Sequence, residues 1–223
     1  MPPDVSSPPP RAHEGDDPTD EIRLAEAVRR LVRGVRVTQV GGEAHERALS
    51  LIADATALLE SEVTDGPFWQ TGLTAFDQFD LDAEPTSVFP YSPAMGRRNP
   101  ISPVVELEVG EDQVVRGTAR FTEQFNGPPF DTCHGGIISL VYDDLIGLAA
   151  MIAAGGGMTA RLTIDYRRPT PMFEPITLTA WLEEVDGRKL LARGEMRHEG
   201  ELLSEAEGLF IRPTGFPPGT ATG

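Results

Sequence analysis

Residues 137–154 read IISLVYDDLIGLAAMIAA, and this stretch decides the fold. It is apolar almost all the way round a helical wheel, which marks a helix buried on most of its sides. Two carboxylates, Asp143 and Asp144, interrupt it. An ionised carboxylate inside an apolar helix is costly unless it has a partner or a task. Asp143 has Ser139 and Gly147 one turn to either side, so its stripe is small and polar among bulky residues, with room for a substrate. Asp144 instead shares a face with Leu140, Val141 and Leu148.

Working outward, His134-Gly135-Gly136 leads into this helix. A helix N-terminus presents unpaired amides and the positive end of a dipole. Glycines there let an oxygen approach the backbone closely, as an oxyanion hole needs. The plainer reading is that two glycines only permit a tight strand-to-helix turn. Before the helix, 104–109 and 114–121 are strand-like runs joined by Gly110-Glu111-Asp112, a hairpin signal. After it, 159–167 alternates, followed by strand-like runs over 176–185, 190–198 and 202–211, with turns at Asp186-Gly187 and Gly200. The pattern predicts an α+β domain in which a curved antiparallel sheet wraps one long central helix.

The chain's first half differs. Residues 1–20 are rich in Pro, Ser and Asp and are expected to form a disordered tail. Asp20 can cap a helix through Ile22, Leu24, Ala25, Val28, Leu31 and Val32, and a second helix runs from Glu43 to about Val63. Residues 66–100 have no clean period and read as a long ordered loop that covers something, anchored by Phe68-Trp69 and Phe76–Phe79. The expected organisation is a tail over 1–20, a helical extension and covering loop over 21–100, the sheet-and-helix domain over 101–213, and a flexible tail over 214–223.

A net charge of -16 argues against nucleic acid as a partner. A single cysteine, Cys133, rules out an intramolecular disulfide and a cysteine-rich metal site. Cys133 and His134 are neighbours in an extended stretch and point apart, which makes them a poor nucleophile–base pair. No apolar run is read as approaching the length that crosses a bilayer. The start lacks the basic and apolar segments of a secretory signal, so a cytoplasmic location is expected.

Taken together, GPPFDTCHGGIISLVYDD (127–144), TARLTIDYRRPTPM (159–172) and RKLLARGEMRHEGELLSEAEGLFI (188–211) resemble the hotdog-fold acyl-CoA thioesterase superfamily, in its PaaI-type branch. The resemblance covers about 103–212. It implies a sheet wrapped round the long helix, and hydrolysis of a fatty or aromatic acyl-CoA without metal or organic cofactor. It maps His134, Gly135 and Gly136 onto the helix-start turn, Asp143 onto the catalytic carboxylate, and Thr159 onto the hydroxyl that helps hold water. Some relatives carry Asn six residues before the His, where this chain has Pro128; Asn126 is nearby but out of register. Arg167, Arg168, Arg188 and Lys189 are the candidates for the CoA phosphates, Ser139 and Gly147 for the acyl side.

Nine residues at ~100° each set His134 and Asp143 on opposite faces, about 13 Å apart along the axis. One helix cannot bring both to one thioester. A two-fold dimer can, so a homodimer or a dimer of dimers is expected. Two other readings stay open. One is a hotdog hydratase or dehydratase, for which Asp131 and His134 provide an Asp-before-His pair. The other is an acyl-CoA-binding dimer without catalysis.

Overall fold

The computed structural model describes residues 18–63, 85–87, 89–127 and 131–214. The Phe68-Trp69 and Phe76–Phe79 anchors, Pro128 and most of both expected tails lie outside them. Six strands form one sheet: β1 (Val104–Val109), β2 (Val115–Arg120), β5 (Met158–Tyr166), β6 (Pro175–Asp186), β7 (Lys189–His198) and β8 (Glu201–Ile211). Their order is β1-β2-β6-β7-β8-β5, every pairing antiparallel. The two-residue strands β3 (Asn126–Gly127) and β4 (Thr132–Cys133) pair with each other just before the long helix α3 (Gly135–Ala154).

Helix α3 lies across one face of the sheet, against β2, β5, β6, β7 and β8. This is the hotdog arrangement. The period-2 alternation explains which face is covered. Ile176, Leu178 and Ala180 of β6, Leu190, Ala192 and Met196 of β7, and Ala206 and Phe210 of β8 are buried, and they form one core with Ile138, Val141, Leu145, Ile146 and Leu148 of α3. Intervening residues point outward, where Arg193 pairs with Glu207 at 3.0 Å and Arg167 with Glu205 at 2.7 Å. Two glycines let the helix approach the sheet closely. A Cβ on Gly208 would stand 2.5 Å from Ile146 Cδ1, and one on Gly194 2.8 Å from Ile146 Cγ2. Tyr142, fully buried, donates its hydroxyl to the Ser204 carbonyl at 2.7 Å, which fixes the rotation of the helix about its own axis. At the other end Gly155 adopts φ 74°, and Gly156 donates back to the Ala150 carbonyl at 3.2 Å, a glycine stop that closes the helix.

One expectation needs correction. By length and composition α3 is long and apolar enough to cross a bilayer, contrary to the sequence reading, but more than half of it is buried inside the protein. Its apolar surface is used against the sheet.

Helix α1 (Pro18–Val37) is tied to the segment 89–102 and to the turn at Glu123–Phe125. Arg29 donates to the carbonyls of Arg97 and Asn99, each at 2.8 Å, Arg98 pairs with Glu21 at 2.6 Å, and Arg33 with Glu123 at 3.0 Å. Helix α2 (Glu43–Glu60) is amphipathic but buries no residue, and Leu51, Leu58 and Leu59 are exposed.

Candidate active site

Asp143 projects from the middle of α3 toward β5. There the Thr159 hydroxyl donates to its Oδ1 at 2.9 Å. The register slips between Thr159 and Arg161, leaving Ala160 as an extra residue. Such a bulge re-aims the side chain beside it, and here that side chain is Thr159. With Oδ1 held, Oδ2 remains to take a proton from water. Asp143 and Thr159 line a cavity of about 130 Å³ whose apolar walls are Phe89, Leu148, Met151 and Phe210. Asp144 borders it as well, and among the described residues no cationic side chain lines it.

His134 is the N-cap of α3. Its Nδ1 accepts the Gly136 amide at 2.9 Å, and its carbonyl accepts the amides of Ile137 and Ile138 at 2.9 and 3.2 Å. Capping therefore uses the Nδ1 lone pair, which leaves the proton of a neutral ring on Nε2. It also uses the Gly136 amide, which the sequence reading had grouped with Gly135 as free for substrate. Among the described residues the Gly135 amide has no acceptor. Asp131, the other half of a hydratase-type pair, is exposed on the loop before β4, while His134 Nδ1 is committed to the helix. Asn126 sits opposite Cys133 in the β3–β4 ladder, close to the helix start.

Ser139 does not face open space. Its hydroxyl lies 2.7 Å from that of Tyr166, and either reaches the Gly135 carbonyl, at 3.0 and 2.9 Å. Gly147 does line the Asp143 cavity. Tyr166, at the end of β5, thus braces the first turn of α3, a role not read from the sequence. A second cavity, of about 320 Å³, opens beside it and is lined by Gly135, Ile138, Tyr166, Arg167 and Arg168 among others. Arg167 pairs with Glu205 and Asp165, and Arg168 with Glu201 at 2.9 Å, all on exposed side chains. Arg188 donates to the Thr214 hydroxyl at 3.0 Å, away from both cavities. The two cavities share no lining residue. The chain thus carries two half-sites, one with the carboxylate and one with the helix-start amide, set eight residues and about 12 Å apart along α3.

Asp144 borders the same cavity as Asp143, but its carboxylate has a different partner. It bonds the Ser92 hydroxyl, and that oxygen also accepts the amides of Ala94 and Met95 at 2.9 and 3.3 Å. Burial raises the Asp144 carboxyl to about 6, the Ser92 bond opposes the rise, and the charge of Asp143 adds to it. The sequence offered no hint of Ser92. Cys133 is buried and its thiol is pushed up to about 12 by burial, so it stays protonated at neutral pH.

The fold is shared with a solved protein. The crystal structure of protein RHA08564, a thioesterase superfamily protein, is 34% identical to this chain, covers 92% of it and 93% of its own length, and superposes with a TM-score of 0.73. The chain belongs to the thioesterase superfamily. The superfamily profile itself matches residues 130–205, the span from the helix start to β8. Acyl-coenzyme A thioesterase THEM4 of Xenopus laevis is 39% identical over 88 residues, which are 39% of this chain and 39% of that protein. The Bos taurus THEM4 is 34% identical over 95 residues, 40% of this chain and 39% of its own. The matches thus span about two fifths of the length of these curated relatives.

Proposed function

We propose that the chain is an acyl-CoA thioesterase whose active site is assembled from two copies. The observation that carries this is the division of α3 into half-sites. Asp143 with Thr159 stands at an apolar cavity, and Gly135 with an unoccupied amide stands at a groove lined by arginines. β5 runs along α3 between them and, among the described residues, pairs only with β8. Most of β5 is exposed, as an edge open to a second copy. Placing two copies with these edges together brings Gly135 of one chain to Asp143 of the other.

In that site Asp143 accepts a proton from water as the water oxygen attacks the thioester carbonyl. The carbonyl electron pair moves onto oxygen, where the Gly135 amide and the positive end of α3 stabilise it. The tetrahedral adduct collapses, the C–S bond breaks, and the thiolate of CoA leaves and takes up the proton. The products are a carboxylic acid and CoA. His134 holds the turn, Thr159 holds Asp143, and Tyr166 with Ser139 braces the Gly135 peptide. The Arg167 and Arg168 ion pairs are exposed and screened by solvent, so CoA phosphates can displace them.

The direct test is release of free thiol from a ladder of acyl-CoA substrates, with and without Asp143→Asn. Thiol release abolished by that variant supports the assignment. Hydration of an enoyl-CoA without thiol release would replace it with the hydratase reading, and binding without turnover with the non-catalytic one.

A further inference from the structure

The Asp143 cavity has one wall that comes from outside the superfamily-matched residues. Phe89 precedes the span 130–205 by about forty positions, yet it lines the cavity beside Leu148, Met151 and Phe210. It is held there by a tight arrangement of the chain. Ser92 donates its amide to the Phe89 carbonyl at 3.0 Å, Gly96 donates to the Ser92 carbonyl at 2.9 Å, and Arg98 to the Pro90 carbonyl at 2.8 Å. The Ser92 hydroxyl latches the turn to Asp144, next to the proposed catalytic carboxylate. Ala94 and Met95, at 0% and 1% exposure, anchor the far side in the core. Arg29 of α1 then clamps the carbonyls of Arg97 and Asn99. Phe89 is therefore a fixed wall, set in place by the helical extension.

We propose that Phe89 sets the ceiling on the length of the acyl group this site accepts. This rests on the thioesterase reading. The cavity carries no cationic lining residue, which suits the acyl end of the substrate, while the arginines line the other half-site, which suits the CoA end. A longer chain must end against the Phe89 ring or leave its tail in water.

The test compares wild type with Phe89→Ala and Phe89→Trp on straight-chain acyl-CoAs of increasing length. Turnover is read as kcat/KM, and binding is read separately with non-hydrolysable S-alkyl-CoA thioethers. In wild type, affinity and kcat/KM rise with length and then level off where the cavity is full. Phe89→Ala moves that plateau to longer chains. Each newly buried methylene raises kcat/KM about fourfold, so three raise it on the order of sixtyfold over the value at the wild-type plateau length. Phe89→Trp moves the plateau to shorter chains and guards against an Ala variant that folds poorly. Hydrolysis with the same plateau in all three proteins overturns this inference and leaves the thioesterase reading standing. Thioether binding with a shifted plateau but no turnover supports the inference and removes the hydrolytic reading. Absence of both binding and turnover overturns both.

Discussion

The carboxylate of Asp144 gives the sharpest quantitative test of the packing around α3. In the unfolded chain it titrates at 3.8, and in the fold burial raises it to about 6 against the pull of the Ser92 hydroxyl. Between those values the folded protein keeps a proton that the unfolded chain has released, so its stability falls as pH rises. The contribution is fully present below pH 3.8 and lost as pH passes through about 6. The rise corresponds to about 3 kcal/mol. Asp144→Asn keeps an oxygen for the Ser92 hydroxyl and removes the charge. The variant should match wild type near pH 4 and exceed it by up to about 3 kcal/mol at pH 7. The assay is urea unfolding of both proteins from pH 4 to pH 7 at one protein concentration, since association adds to stability. Taking the difference cancels the other carboxylates. A difference that is flat with pH, or that shrinks toward neutrality, refutes the burial of an ionisable Asp144 against Ser92.

Asp143→Asn should keep the fold and lower acyl-CoA turnover by about two orders of magnitude or more; near-full activity there, with loss in Asp144→Asn, reverses the assignment of the two carboxylates. Gly135→Pro deletes the proposed oxyanion donor at a helix position where proline fits, so kcat should fall about 10²–10³-fold with KM little changed, and an unaffected kcat removes that amide from the mechanism. Mixing Gly135→Pro with Asp143→Asn chains and allowing exchange should restore about a quarter of wild-type activity, because half the chains enter heterodimers with one intact site each; no recovery means that each chain holds its own whole site. Gly208→Ala sets a methyl against Ile146 and should cost about 1–3 kcal/mol in urea unfolding, whereas an unchanged midpoint denies the close approach of helix to sheet.

The central helix was legible because apolar residues on all sides leave only a buried position, and the strands because alternation over six or more residues cannot be mistaken for a helix. The β3–β4 hairpin escaped notice because two-residue strands carry no period. The stripe Ser139–Asp143–Gly147 was read as open space, and its period was correct. What the period could not reveal is that Tyr166, arriving on β5, fills the Ser139 end and leaves only the Asp143 end open. Ser92 stands 52 residues from Asp144 in sequence, and no local pattern announces a contact of that range. Asp143 and Asp144 both border the cavity but bond different partners, Thr159 and Ser92, and this follows from the 100° step between neighbouring helical residues. The sequence did give the two their different faces. The apolar stripe of α2 promised burial, but among the described residues nothing covers it.

The lone cysteine bears on redox chemistry. The proposed reaction liberates a thiol at every turnover, and thiols exchange with disulfides. Exchange proceeds through the thiolate, and with its thiol pushed up to about 12 Cys133 is ionised in roughly one molecule in 10⁵ at neutral pH. It is also buried. The chain is therefore inert toward its own product: CoA disulfide and glutathione disulfide find no nucleophile on it, and an aromatic disulfide used to colour released CoA reads only the product.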